Sequence, residues 1–90
     1  MANHKSAMKR DRQSRVRRLR NRISKSRMKT VVRRVEEALM AGSEEDARTA
    51  LAAAVPVIQK TASKGSIHKK TASRKVSRLT RRVNRMQPLG

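Results

Sequence analysis

The sequence predicts an all-α fold, a three-helix bundle with an extended, highly basic first helix, on three observations. Between Lys5 and Ala41 there is no Gly or Pro to end a helix. Gly42 and Gly65 then punctuate the rest of the chain. In each resulting segment apolar residues recur at steps of three and four, the period of one helix face. The expected helices cover about residues 5–41, 44–64 and 67–86 of one domain spanning 1–90. At that size burial alone leaves folding marginal.

The first helix carries two apolar sets that do not share a direction. Val16, Leu19 and Ile23 form a thin line, and Met28, Val31, Val32, Val35, Ala38 and Leu39 form a broader one. At about 100° per residue the two are rotated by a third of a turn or more. The second set can pack against other helices. Around the first, cations point in almost every direction: Lys9, Arg12, Arg20 and Arg27 lie near the Val16 line, and Arg15, Arg18, Arg22 and Lys25 cover its flanks and back. A bundle can bury little of this half, so it is expected to overhang or only lightly touch the rest.

The stretch "MAGSEED" closes the first helix and opens the second. Gly42 suits a left-handed C-prime position, and Ser43 suits an N-cap. Glu44, Glu45 and Asp46 fall in the positive first turn, with Asp46 three residues after Ser43 in a near-match to the capping box. The second helix places Ala47, Ala50, Leu51, Ala54, Ile58 and Ala62 on one side. Pro56 removes a donor and crowds the carbonyl of Ala52, which predicts a kink or a break into two short helices.

The second joint, "SKGSIHKK", offers Gly65 as a stop and Ser66 as an N-cap. The following His68, Lys69 and Lys70 oppose the helix dipole, but free helix amides beside two cations also make a seat for a phosphate. The third helix carries Ala72, Val76, Leu79, Val83 and Met86 as a narrow stripe. Arg74, Arg78, Arg81 and Arg85 lie on the opposite side.

Composition identifies the partner's chemistry. Lys and Arg number 25 against 6 acids, a formal net charge of +19. Self-repulsion of that size opposes a compact state unless a polyanion relieves it. Residues 1–40 carry 14 cations and 3 acids, residues 64–90 carry 9 cations and none, and residues 41–63 carry 2 cations against 3 acids. Helices one and three therefore supply the polyanion-binding surface, and the second supplies core.

Composition also excludes. With no Cys, and with His4 and His68 far apart, neither a disulfide nor a recognisable metal motif is available, and no cofactor is expected. The absence of Phe, Tyr and Trp removes the platforms on which unstacked bases rest. No apolar run approaches the roughly 18 residues of a membrane span, and no export signal is present, so a cytoplasmic protein without membrane partners is expected. No acid, nucleophile or cofactor loop accompanies His68, so no enzyme is expected. A basic leucine zipper fails because the heptads stop at Gly42 after fewer than two repeats, and no obligate homo-oligomer is expected.

The candidate contacts are those helix-one cations together with Arg10, Arg17, Lys29, Arg33 and Arg34, then Lys64, Gly65, His68, Lys69 and Lys70 at the second joint. Helix three adds Lys75 and Arg82 to its four outward arginines. Ser14, Ser24, Ser26, Thr30, Ser73, Ser77 and Thr80 can donate to phosphates or simply keep helix surfaces wet. Asn21 and Asn84 can touch a base or ribose, or remain surface residues. Charge of this kind establishes phosphate attraction but not which bases or grooves are read. The Arg-rich run is expected to be a helix completed by its ligand, with a basic arm that stays unfolded when free as the alternative.

Three stretches, "MANHKSAMKRDRQS", "RRLRNRISKSRMKTVVRR" and "ASKGSIHKKTASRKVSRL", resemble the bacterial family of small-subunit ribosomal protein twenty. The resemblance covers nearly the whole chain and is weakest in the middle helix. It implies a three-helix bundle with an extended first helix that binds 16S ribosomal RNA directly and early. Within the small subunit, alongside its other components, such a protein links the five-prime domain to the long penultimate stem. Lys5, Ser6, Ala7, Lys9 and Arg10 would then grip RNA at the helix tip. Arg18, Leu19, Arg20 and Asn21 would continue the contact through Lys25, Ser26, Arg27, Lys29 and Thr30. Lys64, Gly65, Ile67, His68 and Lys69 match the family's joint, but Lys70 stands where Asn is usual, and His4 stands where an aliphatic residue is familiar. A sequence-nonspecific, nucleoid-type DNA-binding protein is the physical alternative.

Overall fold

A computed structural model describes residues 2–86, with side chains from Ala7 onward. The His4, Lys5 and Ser6 side chains lie outside the described residues. The architecture is all-α: α1 runs Ala2–Ala41, α2 Glu44–Ser63 and α3 Lys69–Asn84. The three-helix expectation holds, and α1 starts about one turn earlier than the sequence suggested.

α1 and α2 end in the same kind of turn. At the end of α1 the amide of Gly42 donates to Leu39 O at 3.2 Å, and that of Ser43 donates to Ala38 O at 3.2 Å. At the end of α2 the amide of Gly65 donates to Ala62 O at 2.9 Å, and that of Ser66 donates to Thr61 O at 3.1 Å. This paired pattern is the Schellman motif, and it needs a left-handed residue at C-prime. Gly42 and Gly65 supply it at φ 74° and 80°.

After the first joint Ser43 caps α2 as expected, accepting from the Asp46 amide at 3.4 Å. After the second, Ser66 does not cap α3, contrary to the sequence reading. The cap is His68, whose Nδ1 accepts from the Lys70 amide at 3.1 Å. This removes Ile67 and His68 from the expected third helix. It also means that the amides at the start of α3 are partly engaged.

Of the two outcomes open for Pro56, the break does not occur, because α2 is continuous from Glu44 to Ser63. Pro56 and Ala52 both lie on the exposed side of the helix. The carbonyl freed by the missing N–H can therefore be solvated.

The core consists of Met28 and Val35 from α1, Ala47, Ala54 and Ile58 from α2, and Ala72, Leu79 and Val83 from α3. On a helical wheel Ala47, Ala54, Ile58 and the buried Thr61 share one broad face of α2. Both α1 and α3 pack on α2 and barely touch one another. Alanine at three of the eight core positions lets helix axes approach closely. Thr61 satisfies its buried hydroxyl by donating to Val57 O at 2.7 Å.

α1 is far longer than the helices it packs on. A 40-residue helix is about 60 Å long, and the molecule's longest dimension is 73 Å against 20 Å and 14 Å for the others. Burial along α1 ends at Ser24. Upstream, Val16, Leu19 and Ile23 are 44%, 57% and 45% exposed, the overhang that their thin line predicted.

Candidate nucleic-acid interface

Every Lys and Arg of α1 from Lys9 to Arg34 is exposed. Few are engaged by protein. Arg15 pairs with Asp11 at 2.6 Å, and Arg18 donates to Ser14 Oγ at 3.3 Å. Exposed i,i+4 pairs of this kind are worth well under about 1 kcal/mol, so Arg15 can exchange Asp11 for a phosphate at little cost. Thr30 donates its hydroxyl to Ser26 O at 3.0 Å, which leaves that side chain mainly an acceptor.

On α3, Lys69, Lys70, Arg74, Arg78, Arg81 and Arg82 are exposed, as is Arg85 at its C-cap, and Lys75 is half-buried. Arg82 reaches Glu36 of α1 at 3.6 Å, with both side chains about half exposed. Lys29 and Arg33 share a shallow surface with Lys75 and Glu36 where α1 and α3 meet. Because His68 Nδ1 accepts the Lys70 amide, Nε2 is the neutral ring's remaining N–H donor.

The structure brings the two joint-spanning candidate groups together. Arg17, Arg20, Asn21, Ile23, Ser24 and Arg27 of α1 line one groove with Lys64, Gly65 and Ser66 of the α2–α3 turn. At its wall Ser66 Oγ donates to Asn21 Oδ1 at 3.0 Å. Arg18, Arg22, Lys25, Ser26 and Lys29 line a second surface that meets the groove at Asn21. Arg74, Arg78, Arg81 and Arg85 stay apart from both.

Two residues that the sequence suggests as a surface polar group and a helix cap are buried. Ser24 and Ser66 are each 9% exposed. A sequence signal for Ser24 does exist: the line of Val35 and Met28, continued backward at helical spacing, passes through Ser24, Asn21 and Arg17. The core face of α1 therefore continues upstream in polar form. The small serine lets the helix lie close to the turn, and Asn21 reaches it by hydrogen bond. No sequence pattern pairs Asn21 with Ser66, because 45 residues separate them.

The sequence profile of the family described as Ribosomal protein S20 matches residues 2–84. The chain belongs to the ribosomal protein S20 family. It is 63% identical over 84 residues to the small ribosomal subunit protein bS20 of Desulfotalea psychrophila, covering 93% of this chain and 94% of that one. The bS20 protein of Syntrophobacter fumaroxidans is 61% identical over 84 residues, covering 93% and 98%, and that of Desulfosudis oleivorans is 55% identical, covering 93% and 96%. The family resemblance read from the three motifs is thereby borne out. Among the described residues no group of three or more acidic, His or Cys side chains could hold a metal, and no helix is long and apolar enough to cross a membrane.

Proposed function

We propose that the chain binds 16S ribosomal RNA directly and holds separate RNA segments near one another while the bacterial small subunit assembles in the cytoplasm. As a member of the S20 family it is a structural, RNA-binding ribosomal protein and not an enzyme. The proposal concerns which RNA it holds and by what surface.

One observation carries it. The two strongly basic helices both pack on a nearly neutral α2 and scarcely contact each other, so each keeps an exposed cationic surface. The overhang of α1, about 29 Å from Ala2 to Asn21 at 1.5 Å per residue, offers cations on several sides and suits insertion between RNA helices. α3 offers Arg74, Arg78, Arg81 and Arg85 along one side, suited to a single RNA surface. Two such faces on one chain neutralise phosphates of different segments and, once both are engaged, hold those segments near one another. Arg, Ser and Asn side chains suit the shallow minor groove and 2'-hydroxyls of RNA, so shape outweighs base reading. Other small-subunit components are the expected neighbours, and no homo-oligomer is needed.

Competition between a small-subunit rRNA fragment and random duplex DNA at matched salt tests the reading. The rRNA fragment is expected to win by at least about tenfold, a gap of about 1.4 kcal/mol. Equal affinity with the same salt slope would instead indicate a sequence-nonspecific DNA-binding protein of nucleoid type.

A further inference from the structure

We infer that the groove between α1 and the α2–α3 turn is a seat for one stretch of RNA backbone, gripped from both elements at once; this rests on the rRNA reading above and gives it a specific place. Four cations line the groove, Arg17, Arg20 and Arg27 from α1 and Lys64 from the turn. Among the described residues no acid lines it, and none of the four is in an ion pair. Arg15, Arg48 and Arg82 do have carboxylate partners. Concentrating unpaired cations in one concavity is unfavourable in the free protein, and phosphates entering it reverse the sign of that interaction.

The shape fits a polymer backbone. A Cβ built on Gly65 would meet nothing within 4 Å, so a strand can approach the turn without obstruction. Ser24 and Ser66 pack beneath, and the Ser66 to Asn21 hydrogen bond spans the groove's two walls. It leaves the Asn21 Nδ2 group to donate to a phosphate oxygen. By tying α1 to the turn, the bond sets the spacing between the α1 arginines and Lys64. Ser66 is thus a positioning residue, acting on the ligand through Asn21 and Lys64.

The test is a set of double-mutant cycles on the full chain: Lys64→Gln alone and combined in turn with Arg17→Gln, Arg20→Gln and Arg27→Gln. Each variant is titrated with a transcript of the rRNA five-prime domain over a range of salt. Lys64→Gln and at least one arginine variant are each expected to weaken binding about fivefold or more and to lower the salt slope by about one. Their double variant is expected to lose little more than the weaker-binding single, since both contact the same phosphates. Adding Ser66→Ala should abolish that coupling, so that the losses multiply, an effect that general destabilisation does not produce. Singles without effect, or multiplying losses in all three cycles, overturn the groove. The wild-type preference for the transcript over random duplex DNA is read in the same titrations. Its absence overturns the rRNA reading itself, whereas its presence with uncoupled variants overturns the groove alone.

Discussion

Ile23 and Met28 lie five residues apart on one helix, yet Ile23 is 45% exposed and Met28 is 4% exposed. Backbone conformation does not separate them, because α1 is helical at both positions. Two things do. Met28 lies on the face that meets α2, whereas Ile23 is turned about 140° from it on a wheel of 100° per residue. The helices that could cover α1 also stop at the turn beside Ser24. Downstream of that point the helix is stabilised by core. Upstream it is stabilised by its own backbone and, on the reading above, by RNA. One helix thus has two sources of order, with Asn21 and Ser24 at the boundary.

The largest expected difference between the halves is in amide exchange of the free protein. Helices in proteins draw most of their stability from a packed face, which the overhang lacks, and repulsion among like charges adds to that weakness. Amides from Lys9 to about Arg20 should exchange within about tenfold of unstructured rates. Those from Met28 to Leu39 should be protected by up to the global stability, about 0.05–0.15 kcal/mol per residue of domain. Adding the rRNA fragment should slow the first group. Uniform protection from Lys9 to Leu39 without RNA would remove the distinction.

Substitution should reveal the same contrast in stability. Met28→Ala removes a buried side chain from a small core and should cost about 2–5 kcal/mol in denaturant unfolding. Ile23→Ala, on the exposed line, should cost within about 0.5 kcal/mol. A comparable loss for Ile23 would show that the overhang is covered in solution.

What could be read without the structure follows this division. The stripe of Ala72, Val76, Leu79, Val83 and Met86 was legible because a local period reports a packed face, and Ala72, Leu79 and Val83 are indeed buried. The overhang was legible for the opposite reason: cations surround Val16 on every side, and no packing can bury them all. At Pro56 the sequence offered both a kink and a break, and which of them occurs depends on which side of α2 faces solvent. The cap of α3 was misassigned because Ser66 is a better intrinsic N-cap than His68, and the contact of its hydroxyl with the distant Asn21 leaves no local trace. Contacts across 45 residues have no local period to betray them. The groove was legible only as separate charged motifs, whose meeting depends on that contact.

RNA affinity should respond in the reverse sense to stability. Arg18→Ala with Arg20→Ala removes two exposed overhang cations upstream of the core. The double variant should bind the rRNA fragment about tenfold or more weakly and lower the salt slope by about two. Its circular dichroism and unfolding midpoint should stay close to wild type. Unchanged affinity would place the RNA elsewhere than on the overhang. A large loss of helicity would show that these residues support the fold.

The smallest effect comes from the two serines that follow the two glycines. Ser43 and Ser66 occupy the same position in identical Schellman turns, yet Ser43 caps the next helix and Ser66 holds the previous one against α1. The difference follows from what comes next. Three acids enter the first turn of α2 immediately after Ser43, which favours a helix start there, whereas Ile67 and His68 intervene before α3 begins. Ser43→Ala should therefore cost about 1 kcal/mol of stability, as loss of an N-cap does, and leave the salt slope of RNA binding unchanged. Ser66→Ala should cost about as much, because it removes a buried hydroxyl whose partner Asn21 is exposed and can turn to water. Its effect on RNA binding should exceed that of Ser43→Ala, because only Ser66 sets the spacing between two groups of cations. Equal stability losses with unequal RNA losses separate the two roles, and equal losses in both would make the serines equivalent.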